Sequence, residues 1–351
     1  MPFNAEQLAY GGKLAIDFFL KNTPIDQINT ERPLIKKLVS EKQPYVGGLQ
    51  YVVEQLRTSN DSNFQSYFGA GQVTYNRKRT IDQAKYAYGA FHDGFGLDED
   101  ELVQNGITMV DDRNASPTAS EKVALTNLFT ENMETLKLGF EENFDLMLHR
   151  DGTADEDDIA GLDHLVQLDP QISSVVGTIN QATNPYWRNY ADLGIPVAEL
   201  VDRMEIAWRE CIRFGGTAPN FILVGGEFLD AYRAAAALTV NRQINGVKGL
   251  EKGGVSIDAS TSAAFFKGVE LVWDPVFDVL DTADSPEVPW AKRCYFLNTK
   301  FLKLRPISGH WMVSRRPPRV YDRYVHYFAL TSKAALTTGK RNAHAVLSLE
   351  Y

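Results

Sequence analysis

Residues 49–91 constrain most tightly what this chain can fold into, because they read as a hairpin too long to be stable alone. Two β-type runs, 48–57 and 78–91, flank a polar middle, 58–76. That middle holds Ser59, Asn60, Asp61, Ser62 and Asn63, then Gly69-Ala70-Gly71, whose glycines supply the positive φ that a reversal needs. Strand alternation puts Leu49, Tyr51 and Val53 on one face, and Ala84, Tyr86, Tyr88 and Ala90 on one face of the return. A two-stranded ribbon is marginal in water, since its backbone and apolar side chains lack partners. No other segment reads as its cover. A neighbouring copy of the same chain is the simplest cover, which points to a protein that assembles.

At 351 residues the chain holds two or three ordinary domains. Its 44% apolar and 11% aromatic content is that of a folded globular protein. No apolar run approaches the roughly 18–20 residues that span a bilayer, and residues 1–12 lack the basic-then-apolar order of a secretory signal. Cys211 and Cys294 have no zinc-type spacing and read as reduced buried thiols. The net charge of −9 argues against binding nucleic acid by bulk attraction. Placement matters more than the sum. Residues 93–163 carry nineteen Asp/Glu against four Lys/Arg, and residues 292–351 carry twelve Lys/Arg against two Asp/Glu. The arm adds Arg77, Lys78, Arg79 and Lys85. Opposite surfaces on one chain can steer copies together, or they are two solvated faces of a monomer.

The clearest helix runs over 118–149. Thr118 and Glu121 form a capping box, and Val123, Leu125, Leu128, Phe129, Met133, Leu136, Phe140, Phe144 and Met147 recur at helical spacing. Its outer face is acidic: Glu131, Glu134, Glu141, Glu142 and Asp145. Earlier, residues 32–39 read as one or two helical turns. From Pro196 helix and strand alternate: helices over 197–214 and 227–244, strands over 221–224, 269–273 and 294–297, loops over 246–254 and 281–289. Residues 323–351 return to strand, with a turn near Gly339. This tail is expected to pack back on the long-helix region, leaving 196–306 as a separate lobe.

The chain carries no phosphate loop, no G-x-S-x-G elbow and no H-E-x-x-H, and Gly69-Ala70-Gly71 and Gly94-Phe95-Gly96 lack the third glycine of a dinucleotide turn. Its six histidines (His92, His149, His164, His310, His326 and His344) are scattered and read as structural. Asp151, Thr153, Asp155 and Asp157 imitate a calcium loop, but Glu156 and Leu162 stand where glycine and a bidentate glutamate are required. Asp111-Asp112 reads as surface charge. Arg315-Arg316-Pro317-Pro318-Arg319 is basic and proline-stiffened, and reads as a contact with a neighbour or with packaged nucleic acid.

Several segments, in order along the chain, resemble the major capsid proteins of tailed bacteriophages, whose fold is named for the Hong Kong 97 phage. Arg32-Pro33-Leu34-Ile35 with Tyr45-Val46-Gly47-Gly48 is similar to the entry to that family's extended arm, the E-loop, and Gly71-Gln72-Val73-Thr74-Tyr75 to the turn within it. Asp100-Glu101-Leu102 and Asn105-Gly106-Ile107 resemble the approach to the spine helix. The most specific series is Gly161-Leu162-Asp163-His164-Leu165-Val166, then Val176-Gly177-Thr178-Ile179-Asn180, then Thr183-Asn184-Pro185-Tyr186-Trp187-Arg188-Asn189. Leu336-Thr337-Thr338, Lys340-Arg341-Asn342 and Ala345-Val346-Leu347 resemble the closing β-hairpin.

The resemblance implies an α+β phage capsid fold in five parts. These are an N-terminal arm (1–45), an E-loop (46–92), a peripheral domain (93–193) with spine helix 118–149 and a β-sheet, an α/β axial domain (194–318), and closing peripheral strands (319–351). It implies a non-catalytic subunit, without cofactor or metal, that self-assembles as hexamers and pentamers into an icosahedral shell. The shell encloses double-stranded DNA without sequence-specific binding, and no membrane is involved. The place is the virion, after assembly in the host cytoplasm. The implied partners are portal and scaffolding proteins and a decoration or cement protein; the short stretch before the arm suggests a separate scaffolding protein. Inter-subunit contacts are expected at Arg77, Lys78, Arg79, Lys85, Glu131, Glu134, Glu141, Glu142, Arg315, Arg316 and Arg319. Two alternatives remain at this point: an encapsulin-type shell around cargo, and an enzyme using the lobe 196–306.

Overall fold

The computed structural model describes residues 30–47, 50–78, 80–98, 100, 103, 119–153, 157–244, 264–317 and 325–351; of these, the side chains of 119–129, 215 and 237–244 are not described. The expectations at Leu49, Arg79, Asp111, Asp112, Thr118, Asp155, Glu156, 246–254, Pro318 and Arg319 therefore lie outside the described residues. So do those at the side chains of Glu121, Val123, Leu125, Leu128 and Phe129. Two compact units emerge: Ala90–Phe144 with Ser308–Lys333, and Glu31–Gly89 with Asp145–Ile307 and Ala334–Tyr351.

In chain order the elements are α1 (Pro33–Ser40), β1 (Val52–Arg57), β2 (Ile81–Tyr86), β3 (Gly89–Asp98), α2 (Ala119–His149), β4 (Val175–Val176), β5 (Ile179–Asn180), β6 (Tyr190–Ile195), α3 (Leu200–Gly215), β7 (Phe221–Val224), α4 (Gly226–Ile244), β8 (Ala264–Phe266), β9 (Val269–Trp273), α5 (Val276–Asp284), β10 (Arg293–Leu297), β11 (Leu302–Pro306), β12 (Val313–Arg315), β13 (Val325–Thr338) and β14 (Ala345–Leu349). Leu162–Leu165 is a single helical turn.

In the first unit β13 pairs with β3 and, through Ala329, Leu330 and Thr331, with β12. Helix α2 is one element of 31 residues, about 45 Å long at 1.5 Å per residue. Leu136, Phe140 and Phe144 recur every fourth residue and are buried. Phe144 meets Phe91 edge-on at 5.2 Å and Trp311 at 5.5 Å. The glycines of Gly94-Phe95-Gly96 serve close strand approach: a Cβ at Gly94 would stand 2.8 Å from the Phe328 carbonyl oxygen.

The second unit is built on a six-stranded mixed sheet, β6-β14-β10-β7-β9-β8. Its central strands are covered on both faces: all four residues of β7, all five of β10 and all five of β14 are buried. On one face Leu200, Met204, Ala207, Trp208 and Cys211 of α3 and Phe228, Leu229 and Tyr232 of α4 join Ile222, Val224, Cys294 and Phe296 in one core. Both cysteines are buried and free, and burial pushes the Cys211 thiol up to about 12. Lys267 and Gly268, both at positive φ, close the β8–β9 hairpin as a two-residue turn.

Three expectations are corrected. The return run ends at Tyr86 rather than continuing to Phe91: Gly89–Asp98 is a separate strand that leaves the ribbon to pair with β13. Part of the supposed loop 281–289 is helix α5, because Val276, Phe277 and Leu280 lie on one buried face. The tail does not simply rejoin the long-helix region. β14 inserts between β6 and β10, so the last strand completes the lobe's own sheet.

Candidate assembly interface

The arm divides into a root and an outer half. β1 and β2 pair antiparallel from Val52 opposite Tyr86 to Arg57 opposite Ile81. One face of this root is buried within the chain: Val52, Leu56, Ala84 and Tyr86. The Tyr86 hydroxyl donates to the Thr338 carbonyl at 2.8 Å, the Lys85 N–H donates to the Gly177 carbonyl at 2.9 Å, and Glu54 pairs with Arg305. Gly177 has φ +60°, and a Cβ there would stand 3.0 Å from Ala84 and 3.1 Å from the Tyr86 ring, so the turn lies flat against the ribbon. The expectation that no segment of the chain covers the hairpin is thus corrected for its root. The signal missed was parity: Tyr51 and Val53 face outward, while the even-numbered residues face in.

The outer half, from Thr58 to Thr80, is different. Few bonds cross it: Thr58 N–H to the Thr80 carbonyl at 2.9 Å, the Asn63 side chain to the Asn76 carbonyl at 2.8 Å, and Thr74 N–H to the Gln65 side chain at 3.1 Å. Four aromatic rings stand in water here: Phe64 is 93% exposed, Tyr67 71%, Phe68 98% and Tyr75 88%. Each would gain on the order of 1.5–3 kcal/mol on being covered. Four large aromatic side chains left exposed on one short segment point to an interaction site.

Arg77, Lys78 and Lys85 are exposed; Arg79 and Arg319 lie outside the described residues. On α2, Glu134 and Glu142 are exposed and Glu131 and Glu141 half-buried. Among the described residues, Arg77, Lys78, Lys85, Glu131, Glu134 and Glu141 form no ion pair within the chain. Arg315 ends strand β12 rather than sitting in a loop, with its Nε donating to Thr331 Oγ1 at 2.8 Å; Arg316 stacks over Phe328 at 5.8 Å. The sequence placed Asp145 on the acidic outer face, and this is wrong. Its turn of α2 faces inward, Asp145 is wholly buried, and its Oδ1 accepts the Ile35 N–H at 3.2 Å.

The glycine-to-asparagine series folds into a buried polar knot. Arg341 is fully buried at its centre, donating to the Leu165 carbonyl at 2.7 Å, Gln181 Oε1 at 2.9 Å, the Trp187 carbonyl at 2.8 Å and Asn189 Oδ1 at 3.1 Å. No carboxylate balances it, and burial lowers its pKa to about 10. Trp187 Nε1 donates to the Val176 carbonyl at 2.8 Å, and Arg188 spans the Gln181 and Ala182 carbonyls. Asp163 pairs with Arg293 at 3.1 Å, whose guanidinium stacks on Trp290 at 4.1 Å. Gly161 admits no side chain: a Cβ would stand 2.0 Å from the Arg150 carbonyl oxygen.

No protein-family model and no curated protein matches the chain. Solved structures do. The capsid asymmetric unit of cyanophage A-1(L) superposes with TM-score 0.59 over 94% of this chain and 97% of that one, at 15% identity. The capsid of Myoviridae phage XM1 gives 0.52 over 94% and 97% at 10% identity, and Gordonia phage Cozz 0.52 over 96% and 94% at 12% identity. This is the capsid-protein fold named for the Hong Kong 97 phage. Within the capsid fold, α2 stands as the spine helix and the ribbon of β1 and β2 as the root of the E-loop.

At the end of β9 the polar group is Asp274, wholly buried, its Oδ1 taken by the Val276 N–H at 3.0 Å and its Oδ2 by His149 Nε2 at 3.0 Å. His149 Nδ1 faces the Asp145 carbonyl at 2.7 Å. Both ring nitrogens meet acceptors, so both carry protons: His149 is an imidazolium, its pKa raised to about 9 by Asp145 and Asp274 against the cost of burial. Asp145, His149 and Asp274 could in principle hold a metal ion. The geometry does not suit one, since the Asp145 carboxylate flanks the Nδ1 side, 3.9 Å away, and Asp274 the opposite Nε2 side. The cluster is a buried ion network that ties α1, α2 and the start of α5 together. Residue spacing does not reveal it, because its members are 110 to 129 residues apart or hidden within a helix.

Proposed function

We propose that this chain is the structural, non-catalytic subunit of an icosahedral phage capsid, assembling from hexamers and pentamers of itself around double-stranded DNA. The observation that carries the reading is the outer arm: a weakly bonded ribbon with four aromatic rings exposed between 71% and 98%, on a chain with the capsid fold. Left in water, that surface costs free energy; covered by another copy, it supplies the drive for assembly. Two of the structures it superposes on, from cyanophage A-1(L) and phage XM1, are phage capsids, which supports the same reading. Residues 1–45 and 46–92 are read as N-terminal arm and E-loop, 93–193 as the peripheral domain, 194–318 as the axial domain and 319–351 as closing strands, with β14 counted in the axial sheet. Portal, scaffolding and decoration proteins are the further partners, and the virion is the place of action. The charges at Arg77, Lys78, Arg79, Lys85, Arg315, Arg316 and Arg319, and the glutamates Glu131, Glu134, Glu141 and Glu142, are the proposed inter-subunit contacts. Negative-stain electron microscopy of the purified protein under assembly conditions tests the reading. Closed shells or capsomer rings are expected; a strictly monomeric protein at all concentrations contradicts it.

A further inference from the structure

The first unit holds a cationic concavity whose chemistry the assembly reading does not explain, although one of its lining residues, Arg315, is among the proposed contacts. It has a volume of about 170 Å³ and is lined by Ala90, Phe91 and His92 of β3, His310, Arg315 of β12, and Thr331, Ser332 and Lys333 of β13. Four of these eight residues carry side chains that can bear positive charge, and none is acidic. In a chain of net charge −9 that composition needs a reason. The nearest carboxylate along the chain, Asp93, is engaged with the Gly94 N–H at 2.8 Å. Among the described residues His92, His310 and Lys333 have no hydrogen-bond or ion-pair partner for their side chains.

The wall is held in place. The His310 carbonyl accepts the Lys333 N–H at 2.8 Å, and the buried Ser332 Oγ accepts the Met312 N–H at 2.8 Å. Between these two pins the turn passes through Met312 at φ +50°, a conformation that a non-glycine residue adopts only when its surroundings enforce it. Arg315 is anchored through Nε to Thr331, which leaves the terminal fork of its guanidinium uncommitted to any side chain.

We propose that this cradle binds a phosphate-class oxyanion. The candidate donors come from four separate segments: His92 of β3, His310 before β12, Arg315 of β12 and Lys333 of β13. A tetrahedral anion presents oxygens to all of them, whereas a planar carboxylate presents one edge and is satisfied by one bidentate partner. The fixed charges of Arg315 and Lys333 match a dianion. The volume suits a small ion and lies below the roughly 300 Å³ where organic-ligand pockets begin. The phosphate can be a free ion or a backbone phosphate of nucleic acid, which share this chemistry.

The test titrates sodium phosphate into the full-length protein by calorimetry in chloride buffer at constant ionic strength. One saturable site per chain is expected. Arg315→Gln and Lys333→Gln should each weaken it about tenfold, the effect of losing one charge-assisted hydrogen bond, while Lys36→Gln, an exposed lysine of α1, leaves it unchanged. Circular dichroism confirms that the variants fold. Displacement of phosphate by a short DNA duplex assigns the source to nucleic-acid backbone; no displacement assigns it to the free ion. Three results overturn the proposal: no saturable phosphate site in the wild-type chain, affinity unchanged in both variants, or sodium acetate binding as tightly as phosphate. The titration does not depend on assembly, so its failure leaves the capsid reading untouched.

Discussion

Arg341 shows why a motif can recur for structural reasons. Its guanidinium is the common donor for four oxygens on three separate stretches, and removing it takes a donor from each of them inside the protein, though Asn189 Oδ1 keeps the Gln167 N–H at 3.2 Å. Arg341→Met should therefore cost at least about 3 kcal/mol in a denaturant titration, and Arg341→Lys should recover little, since an ammonium cannot span the same fork. His149 gives a second prediction, in pH. Its folded pKa is raised from 6.5 to about 9, so its contribution is complete below pH 6.5 and is lost as pH rises toward 9. Asp145 is raised from 3.8 to about 6, mainly by burial, with Asp274 adding to the rise and His149, Ile35 N–H and Arg32 opposing it. Its favourable contribution is complete below pH 3.8 and is lost as pH rises to about 6, so both groups act in the same direction. The Tm should fall between pH 6.5 and 9, and His149→Gln should start lower and lose most of that slope. A wild-type Tm that is flat across the window would contradict the charged assignment.

At the scale of elements, the arm separates stability from assembly. Its root is held by Tyr86, Glu54 and the Gly177 turn, while its outer half contributes almost nothing to its own chain's core. Changing Phe64, Tyr67, Phe68 and Tyr75 to serine should leave subunit stability within about 0.5 kcal/mol while abolishing particle formation in an assembly assay. The basic cluster belongs to the same element. Lys78→Glu with Arg79→Glu should lower particle yield at moderate salt, where screening has not already removed the attraction; unchanged yield and particle stability would reject that contact. The long helix and the lobe's strands were legible because apolar spacing reports burial directly, as Leu136, Phe140 and Phe144 do; the expected closing hairpin is corrected, since β13 and β14 lie in different sheets and do not pair. The arm's inward parity, helix α5 and the burial of Asp145 were not. Each depends on which neighbour lies across the element, and a single strand or helix does not encode that.

For the whole molecule, the order of weak motifs along the chain was enough to reach the fold. The position of β14 was not legible: an apolar terminal strand fits any buried sheet, and only pairing with β6 and β10 selects one. The polar knot was visible as a motif but not as a network, since Arg341 lies about 150 residues from Trp187 and Asn189. Among the described residues, the outer arm is a stretch where four large aromatic rings are left open to solvent. Oxidative footprinting read by mass spectrometry tests that point most directly, by comparing Tyr67 and Tyr75 in dissociated subunits and in purified particles. The account predicts high reactivity in the subunit and strong protection in the particle; equal reactivity of both tyrosines in the two states would contradict it.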